Sequence, residues 1–347
     1  MDRVHLLNVG VGDCTIIEHQ SSRVSIIDIC SGNSESERLG MNLTTAISIP
    51  QTVSAPPIGS YQGGMRSAIS NLSGNYAMKA RQTNPVDYLT DKLKKDSIFR
   101  FILTHPDMDH MDGLDRLISE VKMSVFWDSG VRRTKPTFNR GGYKEADWDC
   151  YERLRDDLVE GVQVLQPRAE SFFRYANRNA DDSTGGDGLH ILSPSDGLIN
   201  KAIQSENMND GSYVLLFKSA GGNMIFAGDA HDNTWEHIIE NYANEVSNCK
   251  FLLAPHHGRN SGASFEYLDV LKPELTLFGN AKSDHLAYQQ WNQRNLKFHT
   301  QNQCGNVVVD TSSGDLALYI ENEEYARASQ FSTYQDSVSQ YYYLDRI

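Results

Sequence analysis

Several things are scarce in this sequence, and each scarcity excludes something. Long apolar runs are missing: nothing in the 347 residues approaches the roughly 20 consecutive apolar positions that a helix needs to cross a bilayer. The start, Met1-Asp2-Arg3-Val4-His5-Leu6-Leu7, enters strand-like sequence without a basic and apolar leader. A cytoplasmic protein that does not engage membrane is therefore expected. Cysteine is sparse too. Cys14, Cys30, Cys150, Cys249 and Cys304 are odd in number and scattered without metal-pair spacing, which fits reduced thiols and argues against a disulfide framework. Positive charge is also short, with 32 Lys and Arg against 45 Asp and Glu for a net charge of −13. That balance counts against a broad basic face for duplex nucleic acid. It does not exclude a local basic loop, and a carboxylate cluster reads as negative until cations bind it.

What the chain does have is a set of apolar strands that each end in chemistry. Phe101-Ile102-Leu103 runs into Thr104-His105-Pro106-Asp107-Met108-Asp109-His110, and Gly113 then opens a helical segment from Leu114 to Val121. Imidazole suits zinc, manganese or iron, and carboxylate suits hard divalent ions, so this mixed cluster can hold a metal pair. Two further runs repeat the pattern. Met224-Ile225-Phe226-Ala227 leads to Gly228-Asp229, and Phe251-Leu252-Leu253-Ala254 leads through Pro255 to His256-His257-Gly258. Near the start, Gly10-Val11-Gly12-Asp13 forms a tight glycine-bounded turn, and the strand-like Val24 to Ile27 ends in Asp28.

The His-x-Asp-x-Asp-His run at 105–110 resembles the signature of the metallo-β-lactamase superfamily. Asp107 stands where many members carry a second histidine, a form similar to the ComEC-type branch, the metallo-hydrolase domain of the DNA-uptake channel. The resemblance covers, in order, about residues 3–30, 98–130 and 187–320. It implies an αββα sandwich of the α/β class, with two sheets face to face, helices outside and ligands on loops at one edge. It further implies one or two divalent ions, zinc or manganese foremost and magnesium as a third choice. His105, Asp107, Asp109, His110, Asp229, His256 and His257 are then the candidate ligands. Asp229 stands at the bridging position. One of His256 and His257 is expected to bind metal with the other close by, and spacing does not choose between them. Asp13 and Asp28 are candidates to support the ligands from behind, with a plain turn residue as the other reading of Asp28. Asn209 and Ser212 match an amide-rich turn before an apolar strand. The sequence departs from the family in having no histidine between Asp196 and Ala230, where most relatives supply a third one.

Hydrolysis through a metal-activated water follows from the resemblance, with Asp109 orienting the water and His285 as substrate contact or general acid, a structural histidine being the other reading of His285. Arg259 and Asn280 are candidate substrate contacts. A phosphodiester in DNA or another nucleic acid is the favoured substrate, and a nucleotide is the second choice. A partner-docking component of a larger complex and an acyl-ester or thioester hydrolase are the alternatives, because one scaffold hosts many chemistries. His5, His19 and His190 read as structural.

The domain is expected to span 1–321, with a polar insertion at about 31–84 too long for an ordinary loop and a second, basic one at about 130–146. The latter, from Arg132-Arg133-Thr134-Lys135 to Lys144, lies where relatives place active-site loops and reads either as a phosphate contact or as a solvated loop. Residues 174–188 read as an exposed loop. Residues 322–347 read as a polar, tyrosine-rich tail. The insertion or the tail is the place for a protein partner or a second copy.

Overall fold

The computed structural model describes residues 2–33, 75–138, 142–174, 176–179, 181, 183, 186–281, 285–330 and 332–347. Most of the expected insertion, 34–74, lies outside the described residues. Two sheets dominate. The larger has nine strands: β1 (Arg3–Leu6), β2 (Thr15–Glu18), β3 (Val24–Ile27), β4 (Ser97–Leu103), β5 (Lys122–Asp128), β6 (Gln163–Leu165), β15 (Val307–Asp310), β16 (Ala317–Ile320) and β17 (Tyr342–Arg346), in the order β17-β16-β15-β1-β2-β3-β4-β5-β6. The short pair β7 (Phe173–Arg174) and β8 (Asn177–Arg178) follows β6 in the chain. The second large sheet has the order β14-β13-β12-β11-β10-β9, from β9 (Leu189–Ser193), β10 (Val214–Ser219), β11 (Gly222–Phe226), β12 (Cys249–Leu253), β13 (Leu275–Phe278) and β14 (Phe298–Thr300).

The alternation of side chains along each strand builds the layers. On β4, Ile102 joins Ile27, Trp127, Leu215, Phe226 and Leu253 in the core between the sheets. Its neighbours Phe101 and Leu103 face the other way, into a second core with Leu114, Leu117, Trp148 and Leu154 from the helices Leu114–Glu120 and Glu145–Arg155. Beneath the six-stranded sheet, Leu216, Ile225 and Leu252 pack on Trp235, Ile238, Leu268 and Trp291. Trp235 and Ile238 come from the helix Asp232–Val246. Strands buried on both faces explain the nearly unbroken apolar runs. The expected four layers, helix on sheet on sheet on helix, are those observed.

β3, β4, β5 and β6 run parallel, as do β11, β12, β13 and β14. Asp28, Thr104, Asp229 and Pro255 therefore emerge just beyond the carboxyl ends of their strands. Tyr213 N donates to Thr104 O at 3.0 Å, and His256 N to Gly228 O at 2.9 Å. Gly228, at φ 49°, permits the close approach: a Cβ there would sit 2.9 Å from Thr104 Cβ. Among the described residues no helix is long and apolar enough to cross a membrane.

Two segments depart from expectation. Residues 322–347 are not a tail, because they fold as a helix, Glu323–Ser329, and as β17, which pairs with β16 at the end of the large sheet. Leu344 and Tyr325 enter the inter-sheet core, so the alternation of apolar residues between the tyrosines outweighs the polar composition. The described part of 174–188 is not an exposed loop either. Asp187 pairs with the fully buried Arg100 and, at 2.9 Å, with Arg23, which draws this stretch onto the sheet.

Candidate metal centre

The first layer of the site is a set of fixed imidazole tautomers. Asp28, held at φ 57° and 1% exposed, accepts from Thr104 N, Thr104 Oγ1 and His110 Nδ1, each at 2.7 Å. A carboxylate only accepts, so in the neutral ring the His110 proton sits on Nδ1 and the Nε2 lone pair points the other way. The Thr104 hydroxyl spends its proton on Asp28 and can only accept at 3.1 Å from His105 Nδ1. That contact places the His105 proton on Nδ1 as well. A single buried carboxylate thus turns two Nε2 atoms toward the same space. Asp13 stands beside a third: its Oδ1 is 3.2 Å from His257 Nδ1, close enough to attract the ring's charge though not aligned as a hydrogen bond. Carboxylate or hydroxyl partners of this kind fix ring orientation and raise ligand basicity.

Asp229 is the point on which the groups converge. Its Oδ1 lies 3.3 Å from His110 Nε2 and 3.9 Å from His257 Nε2, whose other neighbour is Asp109 Oδ2 at 3.4 Å. Its Oδ2 lies 3.7 Å from His105 Nε2 and 3.6 Å from His256 Nε2. Asp107 Oδ2 is 3.6 Å from His105 Nε2. The two oxygens therefore divide the cluster into an Oδ1 half with Asp109, His110 and His257, and an Oδ2 half with His105 and Asp107. Ligand atoms of Asp13, His110, Asp229 and His257 all fall within 4.8 Å of one another.

This donor set fits a divalent cation. His105 Nε2, His110 Nε2, His257 Nε2 and Asp229 Oδ1 are buried and have no hydrogen-bond partner. Orphaned buried polar atoms are costly, and here four of them share one space. The charges agree. Burial alone would raise the Asp229 carboxyl, but His110, His257 and His105 hold it well below the usual carboxylate range. Burial likewise works against protonated His257, yet Asp13, Asp229 and Asp109 outweigh it and push the imidazole up to about 10. His110 is raised in the same way by Asp229, Asp28 and Asp109. Burial would also raise Asp109, and His110 and His257 reverse that, holding its carboxyl well below the ordinary value. The cluster demands positive charge at its centre.

His256 is set the opposite way from its neighbour. Asn207 Nδ2 donates to Asp210 Oδ2 at 3.0 Å and faces His231 Nδ1 at 3.3 Å, so Nδ1 accepts there and Nε2 carries a proton. That atom is 3.2 Å from His256 Nδ1, which leaves the His256 proton on Nε2. Burial, opposed by Asp229 and reinforced by His257, His231 and Arg259, lowers His256 to about 4, so the ring is neutral. His257 would offer a lone pair only where a cation replaces its proton, whereas the neutral His256 offers a hydrogen. Both take left-handed backbone, at φ 52° and 56°, a conformation that costs a residue with a side chain and collects at functional sites.

The remaining candidates lie at varied distances from this centre. Asn209 and Ser212 are buried in the turn that Tyr213 ties to Thr104. Asn280 is buried and donates to Asn8 Oδ1 at 2.6 Å, a contact within the fold. Arg259 borders a small recess with His256, and its charge acts on His256 and Tyr143. His285 is exposed, with its carbonyl accepting from Asn260 N. Sequence reasoning did not single out Thr104, Asn207 or Tyr143. A hydroxyl directly before His105 was the one available signal. Tyr143 lines a cavity of about 730 Å³ with Asp107, Asp109, Arg132, Arg133 and Met208.

No protein-family profile matches the sequence, and no curated protein does. Solved structures do resemble it. Igni18, a novel metallo hydrolase from the hyperthermophilic archaeon Ignicoccus hospitalis KIN4/I, aligns at 14% identity and a TM-score of 0.44, covering 89% of this chain and 99% of that one. A diphosphatase from the PhnP family aligns at 9% identity and a TM-score of 0.37, covering 86% and 95%. CmlA, a diiron beta-hydroxylase from Streptomyces venezuelae, aligns at 12% and 0.38, covering 86% of this chain and 52% of that one. At such TM-scores these likenesses carry no argument about chemistry, which rests on the site itself.

Proposed function

We propose that the protein is a metal-dependent hydrolase of phosphodiesters, with a nucleotide or a nucleic-acid end as substrate. The observation that carries the reading is the division of the Asp229 oxygens between two groups of orphaned ligand atoms. His105, Asp107 and Asp229 Oδ2 would hold one ion. Asp109, His110, His257 and Asp229 Oδ1 would hold the other. An ion pair there supplies a lowered water pKa and neutralises charge developing on a phosphate. The residues do the rest. Asp109, on the cavity wall, orients the attacking water. His256 donates its Nε2 hydrogen to a substrate oxygen, in a ring oriented by His231 and Asn207. Carboxylate-rich sites suit Mn²⁺ and Mg²⁺ as well as Zn²⁺, the ions of much phosphate chemistry.

The size and charge of the cavity favour a small substrate over a duplex. About 730 Å³ suits a nucleotide-sized group. Arg132 on its wall and Lys135 in the same loop are already paired with Asp128, Glu145 and Asp149, whereas duplex binding draws on many available cations. The test is turnover of bis-p-nitrophenyl phosphate, dinucleotides and linear DNA with added Mn²⁺, Mg²⁺ or Zn²⁺. Asp109→Ala should fold normally and lose activity by at least about a hundredfold, the scale of removing one group that acts in the transition state. Wild-type turnover in that variant would remove Asp109 from the chemistry, and turnover of acyl esters alone would replace the phosphodiester reading.

A further inference from the structure

The loop after β5 opens with three cations in four residues, Arg132, Arg133 and Lys135, and two of the three are committed away from the centre. Arg132 Nη1 is 2.8 Å from Oδ2 of the buried Asp128. Lys135 Nζ is 2.7 Å from Glu145 and 2.6 Å from Asp149. Arg133 differs, because its Nε is paired with Asp107 Oδ1, and Asp107 Oδ2 faces His105. Among the described residues it is the one Lys or Arg paired with a carboxylate of the candidate centre. Its side chain is 42% exposed, and it lines the same cavity as Asp107, Asp109 and Tyr143.

We propose that Arg133 is an exchangeable anion contact, neutralising Asp107 while the site lacks metal and turning to a phosphate of the substrate once a cation takes that carboxylate. The argument is one of charge. A divalent ion on Asp107 Oδ2 withdraws charge from the carboxylate and repels the guanidinium on Oδ1 from close range, so the pair is weakened. The arginine then needs another anion. A long, half-exposed side chain on a loop can turn at small cost, and the cavity it lines is where a substrate would lie. A guanidinium fork matches two phosphate oxygens better than an ammonium does. Tyr143, 37% exposed on the same wall, offers a ring face to a base or aryl group. The substrate class is therefore a nucleotide-sized phosphate ester whose free oxygens span from the ions to Arg133.

This inference rests on the dinuclear reading above, and the experiment separates the two. Mn²⁺ alone is titrated into chelator-stripped full-length protein against a chromophoric chelator, and inorganic phosphate is then titrated into the Mn²⁺-loaded protein by calorimetry. Wild type, Arg133→Gln and Arg133→Lys are compared. Removal of the competing cation should tighten Mn²⁺ binding in Arg133→Gln by about threefold to tenfold, the scale of a partly exposed ion pair. The same variant should bind phosphate about tenfold to a hundredfold more weakly, the scale of a charge-assisted hydrogen bond. Arg133→Lys should restore metal affinity to near wild type and phosphate affinity only in part. Wild type that binds Mn²⁺ and phosphate, with Arg133→Gln matching it in both, would overturn the role of Arg133 alone. Wild type that takes up no Mn²⁺ would overturn the dinuclear reading and this inference with it.

Discussion

Asp28→Asn is the sharpest perturbation of the tautomer argument, because it keeps shape and tolerates the left-handed backbone at φ 57° while changing one acceptor into a donor. Wild-type Asp28 accepts from Thr104 N, Thr104 Oγ1 and His110 Nδ1. An amide has one accepting oxygen, and the most constrained donor, Thr104 N, claims it. The new NH₂ then faces Thr104 Oγ1 and His110 Nδ1, both on the side of Asp28 Oδ2. His110 answers by moving its proton to Nε2, the atom 3.3 Å from Asp229 Oδ1. Thr104 loses the acceptor for its hydroxyl, so the His105 tautomer is no longer imposed. Loss of such an outer partner costs about 10–100-fold in metal affinity, or roughly 1.4–2.7 kcal/mol. Two ligands are disturbed here, so the upper end is expected. The assay is Zn²⁺ or Mn²⁺ affinity by chelator competition, with far-UV circular dichroism confirming the fold. Wild-type affinity in Asp28→Asn would refute the claim that Asp28 sets the two imidazoles.

Other consequences concern the scaffold. Arg100 is fully buried, with its guanidinium carbon 4.9 Å and 5.2 Å from the Phe99 and Trp127 ring centres. Asp187→Ala removes the carboxylate that faces that buried charge and should destabilise by about 3–5 kcal/mol in denaturant unfolding, and a change under 1 kcal/mol would sink the assignment. His299 is pushed down to about 4, first by burial and then by Lys297, against Asp345. As pH falls below 6.5 the unfolded chain takes that proton first, so stability is complete above about 6.5 and is lost toward pH 4. At about 1.4 kcal/mol per pH unit the loss approaches 3 kcal/mol. His299→Gln should flatten that part of the stability profile, and an unchanged acid limb would show that the histidine is not held neutral.

Much of the clustering was legible in the sequence because the candidate ligands follow strands. The last three residues of β4, β11 and β12 are buried and apolar, so each run breaks off where a His or Asp appears, and parallel strands bring such ends to one edge. Asp28 was legible as a strand end. Its control of two histidines was not, since that passes through Thr104, whose role depends on where its hydroxyl points. The choice between His256 and His257 was open for the same reason. The two rings are set differently, with Asp13 beside His257 and with His231 and Asn207 beside His256, residues that meet only after folding. The final strand, β17, was hidden by polar composition, because Leu344 is its one fully apolar inward residue. Arg100 and Asp187 are 87 positions apart, and no local pattern joins them.

Metal content is the most direct measure of whether Asp229 joins two cation sites. Protein equilibrated with Zn²⁺ or Mn²⁺ and freed of excess would be analysed for metal per chain, beside Asp229→Asn. About two ions in the wild type and fewer than one in the variant are expected, because one carboxylate serves both halves of a two-metal site. A wild type that retains no ion, or a variant that retains both, would contradict the account.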